Sequence, residues 1–169
     1  MDKGRIIKVT GPLVIASGFS TAKMYELVKV GKLGLFGEII EMKDDKASIQ
    51  VYEETEGLKI EEPVITTGEP LSVELGPGLI GSIYDGVQRP LDILRLKFGN
   101  FVERGAVEPA IDKKKKWSFK PQVKVKDRVE GGDVLGVVNE TSLIVHKVLV
   151  PSGIKGSLKF IHKGEASIE

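Results

Sequence analysis

Short apolar runs separated by turn residues dominate the first 75 residues of the chain. Ile49 and Val51 alternate with Ser48 and Gln50, the period of two that predicts a strand with one buried face. Turn residues such as Thr10-Gly11-Pro12 separate the runs. Similar apolar runs lie at residues 6–9, 13–15, 25–28, 38–42 and 64–66. Regularly spaced short strands predict a small β-barrel or sandwich, although the pattern does not indicate the strand order.

A helical pattern occurs in residues 82–104. Pro90 suits the first turn of a helix, because the N–H that proline lacks has no partner there. Leu91, Leu94 and Phe98 then fall on one face, and Gly99 can end the helix. We predict that this apolar stripe packs into a core.

β-patterns return after Trp117, and residues 123–138 are similar to the start of biotinyl and lipoyl carrier domains. Residues 144–158 resemble the second half of such a domain. A carrier needs a lysine at an exposed hairpin tip, but the predicted hairpin at residues 139–142 contains none. Lys147 follows within a predicted strand. We therefore expect the carrier-like fold without the prosthetic group. The alternative interpretation is that the chain is a stand-alone β-rich adaptor or a biotinyl/lipoyl-like carrier domain protein.

Composition narrows the possible partners. The chain has 169 residues, 41% of them hydrophobic, and 25 Lys and Arg against 24 Asp and Glu give a net charge of +1. Nucleic-acid binding favours a basic face, so we expect no nucleic-acid partner. Lys113–Lys116 beside Trp117 is interpreted as a solvated charge run at a domain boundary. No stretch reaches the roughly 20 apolar residues of a membrane span, so we expect no direct membrane insertion.

The polar residues do not form a catalytic pattern. His146 and His162 lack the third and fourth ligands of a usual metal site, and the chain has no cysteine. The pairs Glu53-Glu54 and Glu61-Glu62 would point to opposite faces of a strand, which favours a solvated rim. Asp85 and Arg89 would share a helical face as an interface pair or as a local ion pair. We predict no catalytic, cofactor-binding or metal-binding residue in this chain.

Gly76, Gly78 and Gly81 match G-x-G-x-x-G, the spacing of a dinucleotide-binding loop. That loop requires a helix to begin at its third glycine, so that the helix N-terminus holds the pyrophosphate. Gly86 and Pro90 interrupt any helix within ten residues of Gly81, so we do not expect a dinucleotide site.

The same region carries a different resemblance, which extends over the whole chain. The run Gly76-Pro-Gly-Leu, Ser82-Ile-Tyr-Asp-Gly and Gln88-Arg-Pro-Leu resembles a segment of the catalytic A subunit of archaeal-type and vacuolar-type rotary ATP synthases and ATPases. Further matching motifs are Gly4-Arg-Ile-Ile-Lys-Val-Thr-Gly-Pro-Leu-Val14, Met24-Tyr-Glu-Leu-Val28, Gly34-Leu-Phe-Gly-Glu-Ile-Ile40, Gln50-Val-Tyr-Glu-Glu-Thr-Glu-Gly57, Lys116-Trp-Ser-Phe119, Gly131-Gly-Asp-Val-Leu-Gly136 and Val145-His-Lys-Val-Leu-Val-Pro151.

The resemblance implies an all-β fold in three parts. Residues 1–72 would form an N-terminal β-barrel that joins subunits into a ring, and residues 73–109 a helical connector toward a nucleotide-binding domain. Residues 110–169 would form the extra, carrier-like barrel-sandwich domain that this kind of subunit carries, which we expect to be truncated.

The resemblance also implies a function for the parent complex. It would couple ATP synthesis or hydrolysis to proton or sodium transport on the cytoplasmic side of a membrane, as a peripheral assembly. The partners would be the B subunits of an alternating hexameric ring, and stalk subunits. Mg-ATP or Mg-ADP would bind the parent subunit. The phosphate-binding loop G-x-x-x-x-G-K-[ST] does not occur in the sequence, so we expect an N-terminal fragment without ATPase activity or a cofactor of its own.

Overall fold

A computed structural model describes residues 2–168, which divide into two compact units. The first unit comprises residues 2–73 and Ile93–Glu108, and the second comprises Glu74–Asp92 and residues 109–168. Each unit is built mainly from β-strands, as the sequence predicts.

The first unit is a closed barrel in the strand order β1-β2-β5-β4-β3-β6, with every neighbouring pair antiparallel. Pairing of Lys3 with Ile65 and of Gly4 with Val64 joins the first strand to the last and closes the sheet. The strands are β1 (Lys3–Thr10), β2 (Leu13–Ser17), β3 (Glu26–Val30), β4 (Leu35–Lys43), β5 (Lys46–Val51) and β6 (Pro63–Pro70). Closure leaves no long free edge on which another chain could pair.

The alternation of the sequence fills the interior of this barrel. Ile49 and Val51 on β5 are buried, whereas Gln50 between them is exposed. The fully or almost fully buried apolar side chains are Ile6, Val14, Ala16, Phe19, Val28, Val30, Leu35, Ile39, Ala47, Ile49, Val51 and Val64. Burying each of the larger side chains contributes about 1.5–3 kcal/mol relative to leaving it in water, so the barrel has a substantial core of its own.

Two carboxylates bind backbone amides where strands meet loops in the barrel. Asp2 Oδ2 accepts hydrogen bonds from the amides of Thr21 and Ser20 at 2.5 and 2.8 Å, and these bonds lower the Asp2 pKa to about 2. Glu26 is buried, and its carboxylate accepts from Gly68 N at 2.6 Å and Lys23 N at 3.0 Å. Thr21, Ser20 and Lys23 lie in the loop after β2, whereas Gly68 lies in β6 beside the register shift in its pairing with β3. Both carboxylates thus supply acceptors to backbone amides outside the regular strand pairing.

Helix α1 spans Leu91–Phe98 and is shorter than the helical region predicted at residues 82–104. Tyr84 forms an isolated bridge with Pro90, so the chain before Leu91 is a turn rather than a helix. The helix begins directly after Pro90 and buries Leu94, and Gly99, at φ 81°, follows its last residue. In the described residues no helix is long and apolar enough to span a membrane.

The chain after α1 is bound to a loop of the barrel within the first unit. Arg104 Nη1 donates to Glu56 O at 2.5 Å, and Gly105 N donates to Glu53 Oε2 at 2.9 Å. Gly105 has φ 70°, and a Cβ atom there would lie 2.5 Å from Leu33 O, so only glycine fits this approach. The segment is therefore held by specific polar contacts to the barrel.

The second unit contains a four-stranded antiparallel sheet in the order β10-β9-β7-β12 and a two-stranded sheet of β8 and β11. Its strands are β7 (Trp117–Pro121), β8 (Arg128–Glu130), β9 (Val134–Asn139), β10 (Val145–Leu149), β11 (Lys155–Ser157) and β12 (Gly164–Ala166). Ile111, Trp117, Val138 and Val150 are its buried apolar residues, a smaller set than that of the barrel. The predicted all-β class is confirmed for both units.

The buried face of β5 generates a stability prediction. Ile49→Ala should destabilise the barrel by about 2–5 kcal/mol, because it removes buried methyl groups and leaves a cavity. Ile65→Ala deletes the same atoms from a side chain that is 39% exposed on β6, and should cost less than about 1 kcal/mol. Amide hydrogen exchange of the barrel strands in increasing urea would measure both values. Equal effects of the two substitutions would contradict the assignment of these faces.

Candidate functional site

The loop at residues 76–82 in the second unit binds a carboxylate. The backbone amides of Gly78 and Ile80 both donate to Glu140 Oε1, at N–O distances of 2.7 and 3.1 Å. The Glu140 side chain is only 3% exposed, so this acceptor is buried with the two amides. Two N–H groups that converge on one oxygen form the kind of concavity that binds anions in proteins.

Glycine is favoured at position 78 for two reasons. Its φ of 108° lies in a region that residues with a side chain rarely adopt. A Cβ atom there would also lie 3.3 Å from Trp117 Cζ2. The backbone can therefore turn its amide toward Glu140 while it lies against the indole ring.

This geometry accounts for Gly78, the middle glycine of the G-x-G-x-x-G match at Gly76, Gly78 and Gly81. No helix begins at Gly81, since the chain there is a turn and α1 begins at Leu91. The loop amides do bind an anion, but that anion is the side chain of Glu140. Glu140 was not identified from the sequence as a ligand of this loop. The one available signal was that the predicted hairpin at residues 139–142 contains a single carboxylate.

The two histidines lie in different polar settings. His146 is on β10, and its Nδ1 lies 3.8 Å from Glu140 Oε2, which makes an ion pair when the imidazole is protonated. His162 Nε2 lies 3.2 Å from Glu165 O. Among residues 2–168 there is no group of three or more His, Cys, Asp or Glu side chains placed to hold a metal ion.

Lys147 lies in the middle of β10, where it pairs with Val137 of β9. The connection between β9 and β10 covers residues 140–144, and it contains no lysine. The predicted placement of the hairpin and of Lys147 within a strand is therefore confirmed. An attachment lysine in a carrier domain occupies the hairpin tip, a position that Lys147 does not have.

Lysines 113–116 precede β7, and two of them make specific contacts. Lys115 Nζ lies 4.1 Å from the centroid of the Trp117 ring, a cation–π distance, and Lys113 Nζ lies 3.9 Å from Glu74 Oε1. The lysine run is thus more than the solvated face that its composition predicts.

The same unit contains an open pocket of about 410 Å³ with a mainly apolar lining that includes Ile111, Trp117, Phe119, Val138, Val148 and Ile168.

Asp85 and Arg89 form the predicted pair, but they do so in a turn and not on a helix. Arg89 Nε lies 2.6 Å from Asp85 Oδ2, and Asp85 Oδ1 accepts from the amides of Arg89 and Val87 at 2.8 and 3.0 Å. Burial raises the pKa of Asp85, but the hydrogen bonds from Arg89 and Val87 lower it by more. The net result is a lowered pKa and a turn that depends on the charged carboxylate.

The predicted acidic rim is only partly a solvated surface. Glu53 Oε2 accepts from Gly105 N at 2.9 Å, and Glu54 O accepts from Arg104 Nη1 at 3.4 Å. Glu61 forms an exposed ion pair with Arg5 at 3.7 Å, whereas Glu62 Oε2 accepts from Lys32 N at 3.4 Å. Only the carboxylates of Glu53 and Glu62 bind backbone amides here, whereas Glu54 contributes its backbone carbonyl oxygen.

Comparison with known proteins identifies the two β-units. Residues 6–68 match the family model described as the beta-barrel domain of the ATP synthase alpha/beta family. Residues 108–169 match the model described as the ATP synthase alpha/beta subunit barrel-sandwich domain. The fold thus defines a member of this class of ATP synthase subunits.

Individual relatives show which kind of ATP synthase subunit the chain is similar to. The chain is 60% identical over 168 residues to the A subunit of the A-type ATP synthase of Pyrococcus abyssi, an alignment that covers 99% of this chain and 16% of that protein. It is 58% identical over 167 residues to the A subunit of the A-type ATP synthase of Thermococcus sp. (strain KI), with 98% of this chain and 28% of that protein covered. Identity to the V-type ATP synthase alpha chain of Clostridium botulinum (strain Hall) is 55% over 168 residues, with 99% and 28% covered.

The chain therefore belongs to the ATP synthase alpha/beta family and matches the N-terminal region of the catalytic A subunit of A-type and V-type ATP synthases. It spans between 16% and 28% of the length of these relatives. The comparisons give no support to a stand-alone adaptor or carrier function.

The turn at Asp85 generates a pH prediction. Asp85→Asn should destabilise the second unit by about 1–3 kcal/mol at neutral pH, because it removes the charge from a half-buried hydrogen-bonded pair. Since the folded-state pKa of Asp85 lies below its ordinary value of 3.8, this stabilisation is present above about pH 4 and is lost as the pH falls further.

Urea titrations followed by the fluorescence of Trp117, the single tryptophan, would measure this difference between pH 3 and pH 7. Glu165→Gln, which neutralises an exposed carboxylate on β12 of the same unit, is the matched control and should change little. A difference that stays constant across this pH range would refute the assigned role of the Asp85 charge.

Proposed function

We propose that this chain supplies assembly and interaction domains to the catalytic A subunit of an A/V-type ATP synthase. In this proposal, the parent complex couples ATP synthesis or hydrolysis to proton or sodium transport. The observation that carries the proposal is the match of 98–99% of the chain, at 55–60% identity, to proteins named as such subunits. Both domain matches occur along the chain in the order that the proposal requires.

The barrel is the proposed site of ring assembly. A closed ring of subunits has head-to-tail contacts, so each subunit must present two different and complementary surfaces. A closed barrel provides such surfaces on a rigid core, because all its strands are paired and its interior is filled. We propose the B subunits of an alternating hexamer as the partners of this barrel, and stalk subunits as further partners in the complex.

We propose three functional parts with the boundaries that the sequence predicts. Residues 1–72 would make the ring contacts, residues 73–109 would lead toward a nucleotide-binding domain, and residues 110–169 would belong to the extra domain of this subunit type. The extra domain occurs in one of the two alternating subunit types, so it is not expected to close the ring. The complex would hold the chain at the cytoplasmic side of a membrane, in a peripheral position.

ATP chemistry is proposed to reside in another part of the parent subunit. Phosphoryl transfer in P-loop enzymes uses a lysine on the phosphates, a hydroxyl on Mg²⁺ and a carboxylate near the attacking water. In this chain the amides of the glycine-rich loop donate to the carboxylate of Glu140. Mg-ATP or Mg-ADP is therefore assigned to the parent subunit, whereas these 169 residues contribute structure.

Deletions in the full-length subunit would test the assignment of the two β-domains. Removal of residues 1–72 should abolish or severely weaken ring assembly with the B subunit, because it removes the proposed contact surfaces. Removal of residues 112–169 should leave assembly largely intact. Native mass spectrometry of the two variants with the B subunit would report the assembled species.

The second deletion also serves as the control for the first, because it removes a different β-domain of the same chain. A ring that is lost only when residues 112–169 are removed would show that the two domains have been assigned the wrong way round. Loss of the ring in both variants would show that the barrel alone does not carry assembly.

The isolated chain should show no measurable binding of Mg-ATP. The physical reason is that the anion-binding loop at Gly78 is already filled by a buried carboxylate, whose charge repels phosphate. Calorimetry with Mg-ATP would test this, and the full-length subunit is the positive control. Micromolar affinity of the 169-residue chain would overturn the structural role proposed here.

A further inference from the structure

The contact between Glu140 and the loop at residues 76–82 has the properties of an occupied anion site. Oε1 receives two backbone N–H bonds at 2.7 and 3.1 Å, and Oε2 lies 3.8 Å from His146 Nδ1. With 3% of the side chain exposed, water contributes little to its solvation. A buried carboxylate is tolerated only when such donors replace its lost water, so the loop and the charge depend on each other.

The two segments that meet here are otherwise separately organised. In the hairpin, Thr141 Oγ1 accepts from the amides of Leu143 and Ile144 at 3.2 and 3.0 Å, so the hairpin has its own bonds. In the loop, Ser82 N donates to Leu79 O at 3.2 Å, while Gly78 N and Ile80 N point to Glu140. The side chain of Glu140 therefore joins the hairpin to a loop that lies 62 residues earlier at Gly78 and 60 residues earlier at Ile80.

We propose that the backbone amides of Gly78 and Ile80 form a site for a small carboxylate or similar oxyanion, and that Glu140 occupies it as a conformational clamp. The clamp holds residues 76–82 against the hairpin between β9 and β10. When the carboxylate is removed, the loop loses its order and the amides become available to a free anion of the same chemistry. This inference does not rest on the proposed function, since it concerns contacts within one unit.

The experiment compares Glu140→Ala with the unchanged chain by amide hydrogen exchange. In the variant, exchange at Gly78 and Ile80 should rise by at least about tenfold, the change expected from losing a charge-assisted hydrogen bond to each amide. Formate should restore slow exchange in a saturable manner, because it can supply the missing carboxylate. Sodium chloride at the same ionic strength should not restore it.

Two further variants separate charge from shape and from general destabilisation. Glu140→Gln keeps one carbonyl acceptor without the charge, so its exchange rates should lie between those of Glu140→Ala and the unchanged chain. Glu165→Ala removes an exposed carboxylate of the same unit and should leave Gly78 and Ile80 unaffected. Protected amides of Phe119 and Val138, which pair between β7 and β9, report whether the unit remains folded.

Specific outcomes would overturn the proposal. Unchanged exchange at Gly78 and Ile80 in Glu140→Ala would show that the carboxylate does not hold the loop. Equal rescue by formate and chloride would show a salt effect in place of an anion site. A loss of protection at Phe119 and Val138 that matches the loss at Gly78, in both Glu140→Ala and Glu140→Gln, would show that Glu140 supports the unit as a whole and is not a local clamp.

Discussion

Closure of the barrel is the constraint on which the first unit depends. β1 pairs with β6 through residues 3–5, so the first strand of the chain completes a sheet whose other end lies about 60 residues later. Without this pairing the sheet would have two free edges and an open face over its buried side chains. With it, the twelve buried core residues lie in one enclosed interior. A closed barrel of this kind can present different surfaces to two neighbours, as the proposed ring assembly requires.

Carboxylate side chains repeatedly accept hydrogen bonds from backbone N–H groups that have no partner in a neighbouring strand. Asp2 accepts from the loop after β2, Glu26 from Gly68, Asp85 from its own turn, and Glu140 from Gly78 and Ile80. Loops leave N–H groups without a ladder partner, and a carboxylate offers two strong acceptors on a short side chain. Such contacts occur in both units, since Asp2 and Glu26 belong to the first and Asp85 and Glu140 to the second.

The glycine-rich run shows why a motif must be tested against its surroundings. Its spacing matches a dinucleotide loop, and its amides do bind an anion. The absence of a helix at Gly81 removes the dipole and the further N–H groups on which a pyrophosphate depends. Glu140 then fills the small remaining site, so the same backbone chemistry serves the internal structure.

The sequence by itself determined the β-strands, the all-β class and the place of Lys147, because these follow from local alternation and turn residues. Alternation at Ile49 and Val51 is a property of neighbouring residues, and it survives in the barrel unchanged. Pro90 and Gly99 predicted the two ends of helix α1, but the wider helical pattern at residues 82–104 was wrong outside these ends. Apolar spacing could not show that the Asp85 carboxylate folds the residues before Pro90 into a turn. The strand order of the barrel and the contact between Gly78 and Glu140 were decided only by the tertiary structure. They join residues about 60 positions apart, and no local pattern records which distant acceptor a backbone amide will meet.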